Sequence, residues 1–176
     1  MLTILIPVYE HPSIIAKFLI GNKKILTNYP VMFVVKGRYQ DLEELPNSTI
    51  IFNNDASFWE ARRIGLEDIK TKYVLNLDVD TILPEGYIER AIGWLEECPK
   101  VGIVNINYKF PHKQSHGAFG TSVMRTEDMR KLYDYSPKDY PSEPCECQYM
   151  REKVLNAGMS SVLLDMEAIH LKDVIS

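Results

Sequence analysis

The chain has 176 residues, 45% hydrophobic and 25% charged, with 20 Lys and Arg against 24 Asp and Glu for a net charge of −4. This is the composition of a soluble globular domain, which argues against a disordered chain and against a nucleic-acid binder, whose footprint is a basic face. Three cysteines, Cys98, Cys145 and Cys147, make no disulfide framework, and no apolar run nears the ~18 residues of a membrane span. The opening MLTILIPVYEHP carries neither a basic leader nor a small-residue cleavage site. A mature, reduced, cytoplasmic protein of one domain, residues 1–176, is therefore expected.

Strands and helices alternate along the chain. Leu2 to Val8 is a compact apolar run, a strand buried on both faces. Ile14, Ile15, Phe18, Leu19, Ile25 and Leu26 fall at helical spacing from Ser13 onward, and Pro30 ends that helix. VMFVV (31–35) and TIIF (49–52) read as two more strands. Ser57 and Glu60 stand at capping-box spacing, predicting a helix that runs to Lys70. YVLNL (73–77) is the next strand, and Pro84 suits the first turn of the helix after it. VGIVNI (101–106) and AFGTSVMR (118–125) have strand character, and Thr126 is placed to cap a short helix. Glu146 to Ala157 reads as a helix stopped by Gly158, and SVLLD (161–165) as a last strand. Two irregular stretches, Asn107 to Gly117 and Tyr135 to Pro144, read as loops. The alternation predicts an α/β sandwich on a mixed, mostly parallel sheet.

The acidic turn Asp78-Val79-Asp80 ends an apolar strand. Residues two apart in an extended segment point to the same side. Both carboxylates are thereby expected at the C-terminal edge of the sheet, where open α/β folds bind ligands. Paired carboxylates repel one another unless a hard cation joins them, and Mg²⁺ or Mn²⁺ suits oxygen ligands of this kind. The plainer reading is a polar strand end.

Taken in order, these blocks resemble a family 2 glycosyltransferase with the GT-A fold. TILIPVYE resembles the opening strand of that family, and the block from ASFWEARRIGLED through YVLNLDVDTILPEG to GWLEECPKVGIV resembles its centre. GAFGTSVMRTEDMRKL resembles the acceptor-side strand and helix, and CECQYMREKVLNAGMSSVLLDMEAIH the closing block. The resemblance implies a near-minimal GT-A core. Residues 1–106 would hold the nucleotide-sugar and metal, and 107–176 the acceptor.

It also implies sugar transfer, with inversion, from a UDP- or GDP-sugar to a hydroxyl of a glycan, lipid or protein acceptor. Asp80 would bind Mn²⁺ or Mg²⁺ with help from His170, and Asp78 would hold the ribose or orient the metal site. Pro7 and Tyr9 would line the base pocket, and Arg62 would contact the nucleotide through its guanidinium. Glu146 would be the catalytic base, with Glu143 as a neighbouring competitor. Peripheral membrane contact and self-association stay open.

Three departures from the family pattern stand out. Lys36-Gly37-Arg38 occupies the place of consecutive aspartates, with Asp41 as a late substitute. Arg63 stands where an asparagine is common, and Cys147 where an aspartate often follows the glutamate. His112 and His116, with Lys109 and Lys113, could cover a diphosphate or simply be solvated loop charge. A non-catalytic nucleotide- or glycan-binding module is the alternative from another class. A sugar-phosphate nucleotidylyltransferase is a weaker rival, because PVYEHPS lacks a glycine-rich loop.

Overall fold

A computed structural model describes residues 1–9, 12–37, 39, 42, 45–109, 117–134 and 145–174. The strands are β1 Leu2–Val8, β2 Val31–Val35, β3 Ser48–Phe52, β4 Tyr73–Asn76, β5 Thr81–Ile82, β6 Val101–Tyr108, β7 Val123–Arg125 and β8 Ser160–His170. The helices are α1 Pro12–Gly21, α2 Lys23–Asn28, α3 Phe58–Asp68, α4 Tyr87–Glu97, α5 Thr126–Leu132, α6 Glu146–Asn156 and α7 Leu171–Val174. The strands form one sheet in the order β3-β2-β1-β4-β7-β6-β8-β5. Pairings among β1 to β4 are parallel, β7 is antiparallel to both β4 and β6, and β6 and β8 are parallel. The expected mixed, mostly parallel α/β sheet is what the chain forms.

Alternation along β1 explains the layers. Leu2, Ile4, Ile6 and Val8 join Ile15, Phe18, Ala91 and Leu95 in one apolar cluster. Leu5 points the other way, into a second cluster with Ala61, Leu66, Met150 and Val154. The strand is buried on both faces, as its unbroken apolar run requires. Helix α3 lies very close to the sheet at Gly65, where an added Cβ would meet Leu5 at 2.4 Å and Val34 at 2.9 Å.

Several elements differ from their sequence reading. The first helix breaks at Asn22, which is buried. Its Nδ2 donates to the Thr81 carbonyl (2.8 Å), and its Oδ1 accepts from the Leu83 amide (3.1 Å). That tertiary clamp holds β5 at Thr81 and the chain just after it at Leu83, and outweighs local helical periodicity. Pro84 lies ahead of α4 rather than in its first turn, because Gly86, at φ 76°, is the N-cap. Thr126 is inside α5, and its hydroxyl donates to the Thr71 carbonyl instead of capping. The last strand continues to His170, well beyond SVLLD, because β6 carries it past two register shifts. The Ser57–Glu60 capping box forms as expected. No described helix is long and apolar enough to cross a membrane.

Candidate active site

Three parallel strands lead one way from β1 to β3, and the chain then crosses back to place β4 on the other side of β1. The carboxyl ends of β1 and β4 therefore flank the switch point at which open α/β sheets bind ligands. Pro7 and Tyr9 arrive there from β1, and Asp78 and Asp80 from the turn after β4. Together with Phe58, Val79 and Lys172 they line one cleft of about 210 Å³. Four of the seven residues expected at the site thus share one cavity. The described residues form a larger cleft, about 370 Å³, between α1–α2 and the start of α4. Lys24 pairs with Glu85 there and Tyr29 donates to Glu89, so its charged groups already answer one another.

The two aspartates serve different partners. β4 ends at Asn76, and the Thr81 amide donates back to the Asp78 carbonyl at 3.0 Å, so Asp78 to Thr81 is a turn and not an extended strand end. The two carboxylates therefore reach the cleft from this turn and not, as expected, from one extended strand. Arg62 Nη2 donates to Asp78 Oδ1 at 2.5 Å, and Arg62 Nε to Glu146 Oε1 at 3.1 Å. Arg62 is fully buried, with its guanidinium carbon 4.5 Å from the Phe58 ring centre and 5.3 Å from that of Phe119. Sequence reading placed this arginine on the nucleotide. The structure puts it beneath the site, joining the two acids, while Arg63 is the exposed member of the pair.

Glu146 opens α6, where a carboxylate is favoured by the helix dipole. The Tyr133 hydroxyl donates to its Oε1 at 2.5 Å, and the Tyr133 ring stacks on Phe119 with centres 5.6 Å apart. Burial pushes the Glu146 carboxyl above its ordinary value, Arg62 and Tyr133 partly oppose this, and Asp78 adds to it. Asp78 is likewise raised by burial, with Arg62 opposing and Asp80 reinforcing. Cys147 accepts from the Phe119 amide at 3.2 Å, and burial pushes its thiol up to about 12. It stays a neutral thiol near pH 7 and supplies no anionic base, which leaves Glu146 as the carboxylate at this helix start. Glu143, Asp41, His112, His116 and Lys113 lie outside the described residues.

Asp80 faces the far end of the chain. Its Oδ2 is 3.0 Å from Lys172 Nζ and 3.3 Å from His170 Nε2, and His170 Nδ1 is 3.2 Å from Asp173 Oδ2. The pairing Thr81↔His170 between β5 and β8 brings these groups together. Burial works against the Asp80 charge, but the hydrogen bonds from His170 and Lys172 hold its carboxyl below the usual range. The hydrogen bond to Asp80 outweighs burial in raising His170. No three His, Cys, Asp or Glu side chains among the described residues gather as a ready metal cage. A carboxylate beside an imidazole still suits Mn²⁺, and Mg²⁺ and Mn²⁺ sites commonly complete their shells with phosphate oxygens. Tyr9 donates to the carbonyls of Ala56 (3.0 Å) and Ser57 (3.1 Å), and its ring meets Phe58 edge-on at 5.9 Å.

Gly120, Tyr133 and Lys172 join the site without having been singled out in the sequence. The expected strand 118–125 opens instead with a 3-10 turn at Phe119–Thr121. A Cβ on Gly120 would sit 1.9 Å from Asp78 Oδ2, and the Gly120 carbonyl accepts from the Asp78 amide at 3.1 Å. A glycine inside a strand-like pattern is the signal that marks such a close approach. Gly120→Ala should therefore displace Asp78 from Arg62. The expected cost is about 1–3 kcal/mol of stability, read as a lowered denaturation midpoint.

Comparison with solved structures fits this architecture. The chain aligns with a mannosyltransferase from Pyrobaculum calidifontis, solved with GDP-Man and Mn²⁺, at TM-score 0.74 and 15% identity, over 96% of this chain and 56% of that one. It aligns with TarS 1-349 of S. aureus at TM-score 0.67 and 16% identity, over 95% of this chain and 59% of that one. The fold is that of a glycosyltransferase. The chain spans a little over half the length of each of those two proteins. No protein-family model and no curated sequence matches it.

Proposed function

We propose that this glycosyltransferase-like domain, residues 1–176, moves a sugar from a UDP- or GDP-sugar to a hydroxyl of a glycan, lipid or protein acceptor. The observation that carries this reading is the continuous set of groups around the Asp78–Asp80 turn. A cleft at the sheet switch point holds Asp78 and Asp80 between aromatic walls and Lys172, and Arg62 ties Asp78 directly to Glu146. A ligand-binding acid and a candidate base are thereby held in fixed relation, which is the positioning that transfer between two bound substrates requires.

Glu146 is the base in this reading. An acceptor hydroxyl is a weak nucleophile, and a carboxylate raised above its ordinary value is a stronger proton acceptor. As the acceptor oxygen bonds to the anomeric carbon, Glu146 takes its proton and the nucleoside diphosphate leaves from the opposite face. The inverting course follows from the family resemblance. Pro7, Tyr9 and Phe58 form the apolar side of the donor cleft, and Asp78 is the acid for the ribose. Asp80 and His170 would hold Mn²⁺ or Mg²⁺, which as a Lewis acid neutralises charge on a departing diphosphate. Arg62 and Tyr133 orient Glu146 without touching substrate.

Incubation with UDP-, GDP- and dTDP-sugars and Mn²⁺ tests the reading, by donor hydrolysis or transfer to an acceptor panel. A folded protein that neither turns over nor binds any of these nucleotides overturns it. Binding without turnover favours the non-catalytic module. Asp80→Ala should weaken Mn²⁺-dependent nucleotide binding by at least about tenfold, roughly 1.4 kcal/mol. Isothermal titration with and without Mn²⁺ reads that loss.

A further inference from the structure

Resting on the donor-cleft reading above, we propose that Lys172 binds the donor diphosphate, and that it exchanges Asp80 for the phosphates when a divalent cation reaches Asp80. Lys172 lies just past the last strand, in the four-residue helix α7. Its backbone is fixed by its neighbours. The Leu171 amide donates to the Asp80 carbonyl at 2.7 Å, the Leu171 side chain is buried in the core, and β8 pairs with β5 through Ile169 and His170. The stem is anchored at its root, and the ammonium at its end meets Asp80 Oδ2 at 3.0 Å.

Charge in the cleft requires such a group. Asp78 and Asp80 both line it, and a diphosphate brought beside them meets like charge. Arg62 does not answer that charge, because it is fully buried and bonded to Asp78 and Glu146. Among the described residues lining the cleft, Lys172 is the cation. Its side chain is 46% exposed against 10% for Asp80, so the ammonium forms the solvent-facing half of the pair. A lysine head is a compact charge on a four-carbon stem, able to swing from a carboxylate to a phosphate while its backbone stays still. The cleft volume of about 210 Å³ falls below the ~300–1,000 Å³ of whole-ligand pockets and suits the diphosphate part of a donor.

Exchange follows from shared geometry. Lys172 and His170 both address the same Asp80 oxygen, Oδ2. A cation bound by Asp80 and His170 therefore competes with the ammonium. Once displaced, the ammonium would be able to pair with the phosphate oxygens of a bound diphosphate. Removing Lys172 should thus have opposite effects on the two ligands.

The test is calorimetric titration of the full chain and of Lys172→Met with Mn²⁺ alone, and with UDP and GDP at saturating Mn²⁺. The expected result is Mn²⁺ bound about two- to fivefold tighter by the variant, and nucleoside diphosphate bound at least about tenfold weaker. Lys172→Arg should restore most of the nucleotide affinity, which a merely structural role would not do. Lys172→Gln repeats the measurement should the methionine variant melt early. Nucleotide binding equal in wild type and variants overturns the diphosphate role and leaves the transferase reading standing. Weaker nucleotide binding with unchanged Mn²⁺ affinity overturns the exchange. A wild-type chain that binds neither UDP nor GDP, with or without Mn²⁺, sinks the transferase reading and this proposal together.

Discussion

Glu146→Gln should keep its fold and its nucleotide binding and lose transfer by about 10²–10⁴-fold. The amide retains an oxygen that can accept from Arg62 Nε and from the Tyr133 hydroxyl, the two bonds that hold this side chain at 3.1 and 2.5 Å. What it loses is the capacity to take a proton. Because burial raises the Glu146 carboxyl, the acid limb of the wild-type pH–rate profile should fall above the ordinary range of a glutamate. Below that limb the base is protonated and transfer stops. Steady-state rates across pH, with nucleotide affinity measured on the same samples, check both points. A variant as active as wild type would remove Glu146 as the base.

The largest loss of stability is expected from Arg62→Met. The guanidinium is fully buried between two acids, and methionine replaces its bulk without its charge. Asp78 and Glu146 would then face each other unpaired, and breaking a buried ion pair from one side costs about 3–5 kcal/mol. For a chain of this size that corresponds to a fall in Tm on the order of 10 °C. The sign with pH also follows. Without Arg62, Glu146 loses the group that holds its carboxyl down, so its folded value rises further. A carboxylate raised on folding favours the folded state when protonated, and that contribution is lost as pH rises through the folded value. The deficit relative to wild type should therefore be larger at pH 8 than at pH 5, read by thermal melts at both. Equal melting of the two proteins would show that the triad contributes no net stability.

Much of the frame was legible from local pattern. Unbroken apolar runs marked β1, β2 and β4 as buried strands, and the Ser57–Glu60 box marked the start of α3. Those features depend on neighbours in the chain, whose physics is local. Asn22 shows where such reading ends. Its bonds reach Thr81 and Leu83, some 60 residues on, so helical periodicity gives no warning of the break. Strand β5 has two residues, too few for any period to register.

The site divides in the same way. Residue type and position at strand ends brought Pro7, Tyr9, Asp78 and Asp80 to one edge, because in a parallel sheet the carboxyl ends of neighbouring strands lie together. Sequence by itself thus determined the sheet, its loaded edge and the acids on it. Tertiary structure alone decided what each acid faces. Arg62 joins Asp78 to Glu146 across 84 positions, Gly120 lets a turn close on Asp78, and Lys172 and His170 come to Asp80 through the β5–β8 pairing. A buried charge must find its partner wherever packing puts one, and packing is a property of the whole chain.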